Sequence, residues 1–286
     1  MPSSKTTKLK RSPRDASADT TADDFLGGRI TVLQPRKGHR SGSDAVWLQA
    51  AVPAKKGESV LDAGAGVAVA GLCLLARVPG TRVTAVEIES RFCALAKANA
   101  ARNCLDARFT AIEADLSARG KTLRAKGLVA ESYDHVMANM PYYAEGSVRT
   151  APERASSHVM SKDGLEAWMR FLVRMMSPKG TLTLIHLPER FPDLISMLEG
   201  SCGGISVFPL FPTEGAAATR IIVQAKKGSR APFRLLPGLV LHGPDGAYTA
   251  QAEAVLREGE GLDLNHESKK NRRPGGKGGG SSMARV

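Results

Sequence analysis

Cysteine is scarce: Cys73, Cys93, Cys104 and Cys202 are the only four in 286 residues, with no C-x-x-C spacing and no paired histidines. Neither a disulfide framework nor a zinc site is expected from that pattern. Cys73, Cys93 and Cys104 lie among Ala and Leu, where a thiol packs as a small hydrophobe, so a reducing cytosol is the expected setting. Long apolar runs are missing as well. The longest uncharged stretch, Ala63 to Ala76, is shorter than the roughly 18 residues a membrane span requires. Met1–Asp24 is polar and shows no apolar core of a signal peptide. Acidic charge is the third shortage, with 28 Asp and Glu against 40 Lys and Arg, a net charge of +12. Residues 265–286 hold six basic side chains against one acidic, and the body between the two ends is itself basic. A basic body with a basic tail is the footprint of a polyanion partner, nucleic acid first among them.

Both ends read as disordered. Met1–Asp24 is rich in Ser, Thr, Lys and Asp, and Asn265–Val286 carries Pro-Gly-Gly-Lys-Gly-Gly-Gly-Ser-Ser, which cannot build a core. The expected folded part is a single domain, residues 25–264, between tails 1–24 and 265–286. Within it, strands are expected at Arg29–Gln34, Ser59–Ala63, Arg82–Glu87, Arg108–Ala114, Tyr133–Ala138 and Thr181–Leu187, with Val207–Leu210 and Thr219–Ala225 as a closing pair. Helices are expected from Ser43, a candidate N-cap, to Val52, and over Val67–Arg77, Arg91–Asn103 and Asp163–Met176. Strand–helix–strand order of this kind predicts an α/β, doubly wound parallel sheet. Such sheets bind ligands beyond the carboxyl ends of their strands, where the strand order reverses.

The first sheet strand ends Val60-Leu61-Asp62-Ala63-Gly64-Ala65-Gly66. The glycines let the backbone turn tightly and approach a ligand. A dinucleotide fingerprint needs a third glycine where Val69 stands, so that reading fails. The next strand ends at Glu87, whose carboxylate can accept from two vicinal ribose hydroxyls. The third is followed by Glu113-Ala114-Asp115, and the fourth by Asn139-Met140-Pro141-Tyr142. The run at that fourth end resembles the N-P-P-Y motif of methyltransferases that act on planar amino groups, in which a side-chain oxygen and a peptide oxygen together accept both hydrogens of the NH2 group. This draws its delocalised lone pair towards tetrahedral geometry, a stabilisation specific to the transition state. Tyr142 would stack on the target, worth about 1–3 kcal/mol for a base.

The Asp62–Gly66 loop resembles the nucleoside-binding loop of class I S-adenosylmethionine-dependent methyltransferases, which often have a further glycine where Ala68 stands. The Asn139–Tyr142 run resembles the N-P-P-Y motif of enzymes that methylate adenine N6 or glutamine amides, with Met140 in place of the first proline. Together with Phe25-Leu26-Gly27-Gly28, the Arg36–Asp44 segment and the late block Lys227–His242, these residues are similar to the bacterial tRNA1(Val) (adenine-N6)-methyltransferase family. The resemblance implies a seven-stranded, mostly parallel Rossmann-like sheet with an N-terminal hairpin and helix extension. It implies S-adenosylmethionine as cofactor, held by Asp62, Gly64, Gly66, Glu87, Asp115 and Asn139. Arg40, or Ser43 and Asp44, would meet the methionine half, although Ser43-Asp44 can equally be a plain helix cap. Asn139, Met140, Pro141 and Tyr142 would form the catalytic pocket. Arg149 and Arg154, in the stretch after Tyr143, and the cluster Lys226, Lys227, Arg230 and Arg234 are candidate RNA contacts. His158 and Trp168 are expected to serve packing. The expected protein is cytoplasmic, binds tRNA, and uses neither metal nor membrane; a monomer is favoured, with the oligomeric state left open. Two rivals stay open: a protein-glutamine methyltransferase, and a non-catalytic RNA-binding module that keeps the fold.

Overall fold

The computed structural model describes residues 19–38, 40–141 and 162–264. The chain opens with an antiparallel hairpin of β1 (Thr20–Phe25) and β2 (Ile30–Pro35), turned at Leu26-Gly27-Gly28. Gly27 has φ +63°, and a β-carbon there would meet the Arg257 carbonyl, so this turn admits only glycine without strain. The first described strand therefore begins at Thr20, five residues before Phe25, where the folded part is expected to start. Thr20–Asp24 is polar because β1 lies at the edge of a two-stranded unit, where every second residue faces outwards.

Next come α1 (Ser43–Ala51), β3 (Ser59–Ala63), α2 (Val69–Arg77), β4 (Arg82–Glu87), α3 (Ser90–Arg102), β5 (Phe109–Glu113), α4 (Gly120–Ala125) and β6 (Tyr133–Asn139). They are followed by α5 (Lys162–Met175), β7 (Met176–His186), α6 (Phe191–Leu198), β8 (Cys202–Phe211) and β9 (Arg220–Lys227). Two-residue strands β10 (Arg234–Leu235) and β11 (Leu239–Val240) and the short helix α7 (Ala250–Glu253) complete the described chain. Ser43 is the first helical residue of α1 rather than its cap; Gly42 holds the cap position, and no side chain caps it.

The main sheet runs β10-β8-β9-β7-β6-β3-β4-β5, with β11 also on β8. Its seven long strands match the expected architecture, and the two short strands add to the β8 edge. Strands β3 to β7 are mutually parallel, whereas β9 runs antiparallel to both β7 and β8. The chain moves outwards from β3 through β4 to β5, then crosses to β6 on the other side of β3. That reversal opens a crevice above the carboxyl ends of β3 and β6.

Helices cover both faces. One apolar cluster gathers Trp47, Leu48, Leu72, Leu75 and Ala96 of α1–α3 with Val60 and Met137 of the sheet. The other gathers Leu123, Leu165, Leu172 and Leu194 of α4–α6 with Leu61, Val136 and Leu184. Neighbouring strand residues such as Val60 and Leu61 join opposite clusters, the period-two alternation of a sheet buried on both sides. The hairpin is fastened by amides of Asn99 in α3 and of Asn103, the residue that caps its C-terminal end. Thr31 N–H donates to Asn103 Oδ1 and Leu33 N–H to Asn99 Oδ1, while the two NH2 groups donate back to the carbonyls of Thr31 and Leu33. These side chains thus take the place of a further strand along the free edge of β2. Among the described residues, no helix is long and apolar enough to cross a membrane.

Candidate active site

The loop after β3 is shaped by positive φ angles at Gly64 (+67°), Gly66 (+56°) and Ala68 (+70°). Gly64 and Ala65 both donate their N–H groups to the Val86 carbonyl at the end of β4, at 2.8 and 3.0 Å. Ala68 explains the further glycine of the related loops: the left-handed conformation is built into this turn, and alanine adopts it at a cost of about 1–2 kcal/mol. Nothing lies within 4 Å of a β-carbon placed on Gly66, so the loop is open on that side.

Glu87 closes the loop from β4. Its Oε2 accepts from Gly66 N–H at 2.8 Å, and its Oε1 accepts from the N–H groups of Ile88 and Glu89 at 2.8 and 2.9 Å. A carboxylate offers roughly four acceptor sites, so about one, on Oε2, stays open for a ribose hydroxyl. The second vicinal hydroxyl would have to share with Gly66. Ile88, 51 % exposed, presents an apolar side chain beside this carboxylate, a feature that sequence periodicity had no means of marking. Asp115, beyond β5, is exposed; its Oδ1 accepts from both the N–H and the hydroxyl of Ser117, which fixes the carboxylate in a local turn.

Asp62 sits below rather than in this loop. It is buried, its Oδ2 accepts from Gly71 N–H at 3.1 Å, and burial pushes its carboxyl up to about 7, with the nearby Glu87 charge adding to the rise. It supports the turn from beneath instead of facing a ligand. Val67 is tied in from the other side, its carbonyl accepting from Asn99 Nδ2 at 3.2 Å.

Across the switch point, the pairing Ala63 to Ala138 sets Asn139 beside Gly64. Asn139 is half-buried and ends β6. The Met140 side chain is 1 % exposed within the α4–α6 core, so an anchored side chain holds the peptide where the related motif has a rigid proline. Pro141 follows. Tyr142, Arg149, Arg154 and His158 lie outside the described residues.

Trp168 of α5 packs against the α4–α6 core, as expected, and also reaches the glycine loop. Its indole lies against Gly64 so closely that a β-carbon on that glycine would overlap the ring. The ring thus packs on the start of the glycine loop, although nothing in the spacing of α5 distinguishes it from a core residue.

Several expected contacts are engaged elsewhere. Arg40 donates to Thr21 Oγ1, the Pro35 carbonyl and Asp23 of the hairpin, and Asp44 pairs with Arg220 of β9 at 2.9 Å. Ser43 is exposed on the first turn of α1. The cluster Lys226, Lys227, Arg230 and Arg234 lies away from the crevice. Because β9 is antiparallel, its last residues lie beside Thr181 of β7 and Cys202, the first residue of β8, towards the end of the sheet opposite the crevice. Lys227 donates to Glu131 and the Met176 carbonyl, and Arg234 to Ser206 Oγ and the Leu264 carbonyl. His186, at the crevice end of β7, is buried and held down to about 4, chiefly by that burial.

The open loop at Gly66, the inward Glu87 carboxylate and the apolar Ile88 fit a nucleoside-bearing sulfonium cofactor. Among the described residues, no group of three His, Cys, Asp or Glu side chains is arranged to hold a metal ion.

Residues 41–164 match the family model described as the methyltransferase small domain. A tRNA1(Val) (adenine(37)-N6)-methyltransferase of Aeromonas hydrophila is 27 % identical over 236 residues, covering 79 % of this chain and 92 % of that protein. The protein of the same name from Shewanella sp. (strain MR-4) is 25 % identical over 220 residues, covering 76 % and 89 %. A crystal structure from Agrobacterium tumefaciens, described as a predicted O-methyltransferase, superposes with a TM-score of 0.67 at 26 % identity, over 78 % of this chain and all of that one.

Proposed function

We propose that this chain, which belongs to the S-adenosylmethionine-dependent methyltransferases of the tRNA1(Val) (adenine-N6)-methyltransferase-like family, methylates the N6 amine of adenine in a tRNA. The observation that carries this reading is the register that sets Asn139 next to Gly64 across the β3–β6 switch point. The acceptor group and the nucleoside loop then share one crevice. S-adenosylmethionine, when bound, supplies an electrophilic methyl carbon on a sulfonium. Glu87 and the backbone at Gly64–Gly66 would hold its nucleoside, with Ile88 against the base.

Asn139 Oδ1 and the peptide oxygen of residue 140 act on the acceptor. Each takes one hydrogen of the NH2, which localises the nitrogen lone pair and orients it along the crevice. A hydroxyl acceptor brings only one hydrogen, so two adjacent oxygens suit an amine better than the oxygen acceptor in the name of the Agrobacterium structure. The leaving proton needs no strong base, since methylation makes the nitrogen acidic. The base itself must leave its stack for its amine to reach the crevice. Relatives named for a valine tRNA and for position 37 support a purine beside the anticodon as the target.

The test is incubation with labelled S-adenosylmethionine and either total tRNA or a protein extract, followed by identification of the modified nucleoside or residue. N6-methyladenosine is expected. Asn139→Ala should lower the rate about 100-fold or more, and Tyr142→Ala should reduce it strongly. Label in glutamine would replace this reading by the protein-directed one, and undiminished transfer by Asn139→Ala would refute the role of the amide.

A further inference from the structure

We propose that the stacked ring pair His242–Tyr248 is a platform for an unpaired base of the RNA, a few nucleotides along the strand from the adenine that enters the crevice; this rests on the tRNA reading above. The two ring centroids are 4.5 Å apart and the planes lie 25° from parallel. One face of the Tyr248 ring is thus taken by the imidazole, and the residue is still 37 % exposed. Aromatic side chains offered in this way accept single-stranded bases of any identity, since every base has a π-face.

The place of the pair in the sheet argues for this occupant. Strand β11 runs parallel to β8, with Leu239 beside Leu210 and Val240 beside Phe211, and His242 N–H donates to the Pro212 carbonyl just past the end of β8. Strand β8 has the direction of β7, because both are antiparallel to β9. The pair therefore stands beyond carboxyl ends, on the same end of the sheet as Gly64, Glu87 and Asn139. From β6 the order β7, β9, β8, β11 makes four steps, about 4.8 Å each and about 19 Å in all. A base extruded at Asn139 leaves a splayed strand on either side of it, and a few nucleotides cover that separation. Phe233, also exposed, has no such position: the next residue, Arg234, pairs with Ser206 in the middle of β8.

The platform is held ready. His242 Nδ1 donates to the Gly246 carbonyl at 3.1 Å, and Gly243 N–H donates to the Ala247 carbonyl at 2.9 Å across the turn. Thr249 ties the returning arm twice, through its N–H to the Leu241 carbonyl and its hydroxyl to the Val240 carbonyl. A ring fixed beforehand loses little further freedom when a base lands on it. Residues 235–256 contain no Lys or Arg, so this surface is suited to a base and not to a phosphate.

The experiment uses the full chain and valine tRNA transcripts carrying the fluorescent base 2-aminopurine at one anticodon-loop position at a time. Wild-type protein should quench the probe at a position a few nucleotides from the target, and Tyr248→Ala should lose that quenching. The same variant should weaken the Kd for unlabelled transcript at least about 5-fold. The slope of log Kd against log salt should stay unchanged, because no phosphate contact is removed. Tyr248→Phe keeps the ring and should restore both quenching and affinity, and Phe233→Ala should bind as wild type. If loss of the ring lowers Tm, Tyr248→Leu keeps an apolar side chain on His242 without a π-face and gives the same readout. A wild-type Kd, or no Tyr248-dependent quenching, in a folded Ala or Leu variant would overturn the proposal and leave the tRNA reading intact. A loss in Tyr248→Phe equal to that in Tyr248→Ala would do the same. A wild-type protein that binds no tRNA would remove both.

Discussion

The indole of Trp168 rests on Gly64, which turns the chain with φ +67° at the end of β3. Substitution Gly64→Ala meets two penalties at once: a left-handed backbone costing about 1–2 kcal/mol and a methyl group that displaces the indole. We expect Gly64→Ala to abolish measurable binding of S-adenosylhomocysteine by calorimetry. The chain has two tryptophans, and Trp47 is 1 % exposed in the core, so emission changes on adding cofactor should come from Trp168. The signal should vanish in Trp168→Phe; its persistence would place the indole away from the ligand.

Glu87 is bound to three N–H groups, and a glutamine there would turn a donor towards at least one of them. Glu87→Gln should weaken cofactor affinity at least 10-fold, about 1.4 kcal/mol, with kcat at saturation less affected. Titration calorimetry beside single-turnover rates separates the two effects. An unchanged affinity would show that the carboxylate serves the loop alone.

Asn99 joins three parts of the molecule. Its carbonyl oxygen accepts from Leu33 N–H, and its NH2 donates to the carbonyls of Leu33 and Val67. Asn99→Ala would leave buried backbone groups unpaired in both the hairpin and the glycine loop. We expect a loss of about 2–4 kcal/mol in denaturant unfolding, together with weaker cofactor binding because Val67 belongs to the loop. A loss of stability without any change in binding would confine its role to the hairpin.

Asp62 makes stability depend on pH with a definite sign. Its native pKa of about 7 lies above the ordinary 3.8, so between those values the native state holds more protons than the unfolded chain. Its contribution is complete below about pH 4 and is lost as pH rises to about 7. His186, held down to about 4, acts oppositely: its contribution is present above its ordinary 6.5 and lost as pH falls towards 4. The wild-type curve alone therefore conceals both. Asp62→Asn keeps an oxygen for Gly71 N–H, so the stability difference between wild type and variant should decline from pH 4 to 7 and then level off. Guanidinium unfolding at each pH reads it directly, and a flat difference would mean that Asp62 ionises normally.

The strand-end positions of the candidate residues were legible in the residue order. Asp62, Gly64, Gly66, Glu87, Asp115 and Asn139 all lie at carboxyl ends of parallel strands or just beyond them, because strand and turn preferences act within a few residues of each other. Sheet class and strand positions followed from the same short-range pattern, with Ser59–Ala63 and Arg82–Glu87 found at the expected bounds. The chain ends are harder to judge. Thr20–Asp24 is polar and gains its strand character only by pairing with β2.

What residue order could not carry is the meeting of distant segments. Strand β9 reverses direction beside β7, and that one reversal sends Lys226 and Lys227 to the far end of the sheet while bringing Arg220 to Asp44. Trp168 crosses to Gly64, Arg174 to Gly120, and Asn99 to both the hairpin and the glycine loop by the same kind of long-range packing. Local sequence determined which chemical groups stand at each strand end, since backbone preference and turn chemistry are short-ranged. Tertiary structure decided which of those groups face the crevice and which charges are paired, since burial and charge pairing depend on neighbours tens to more than a hundred residues away.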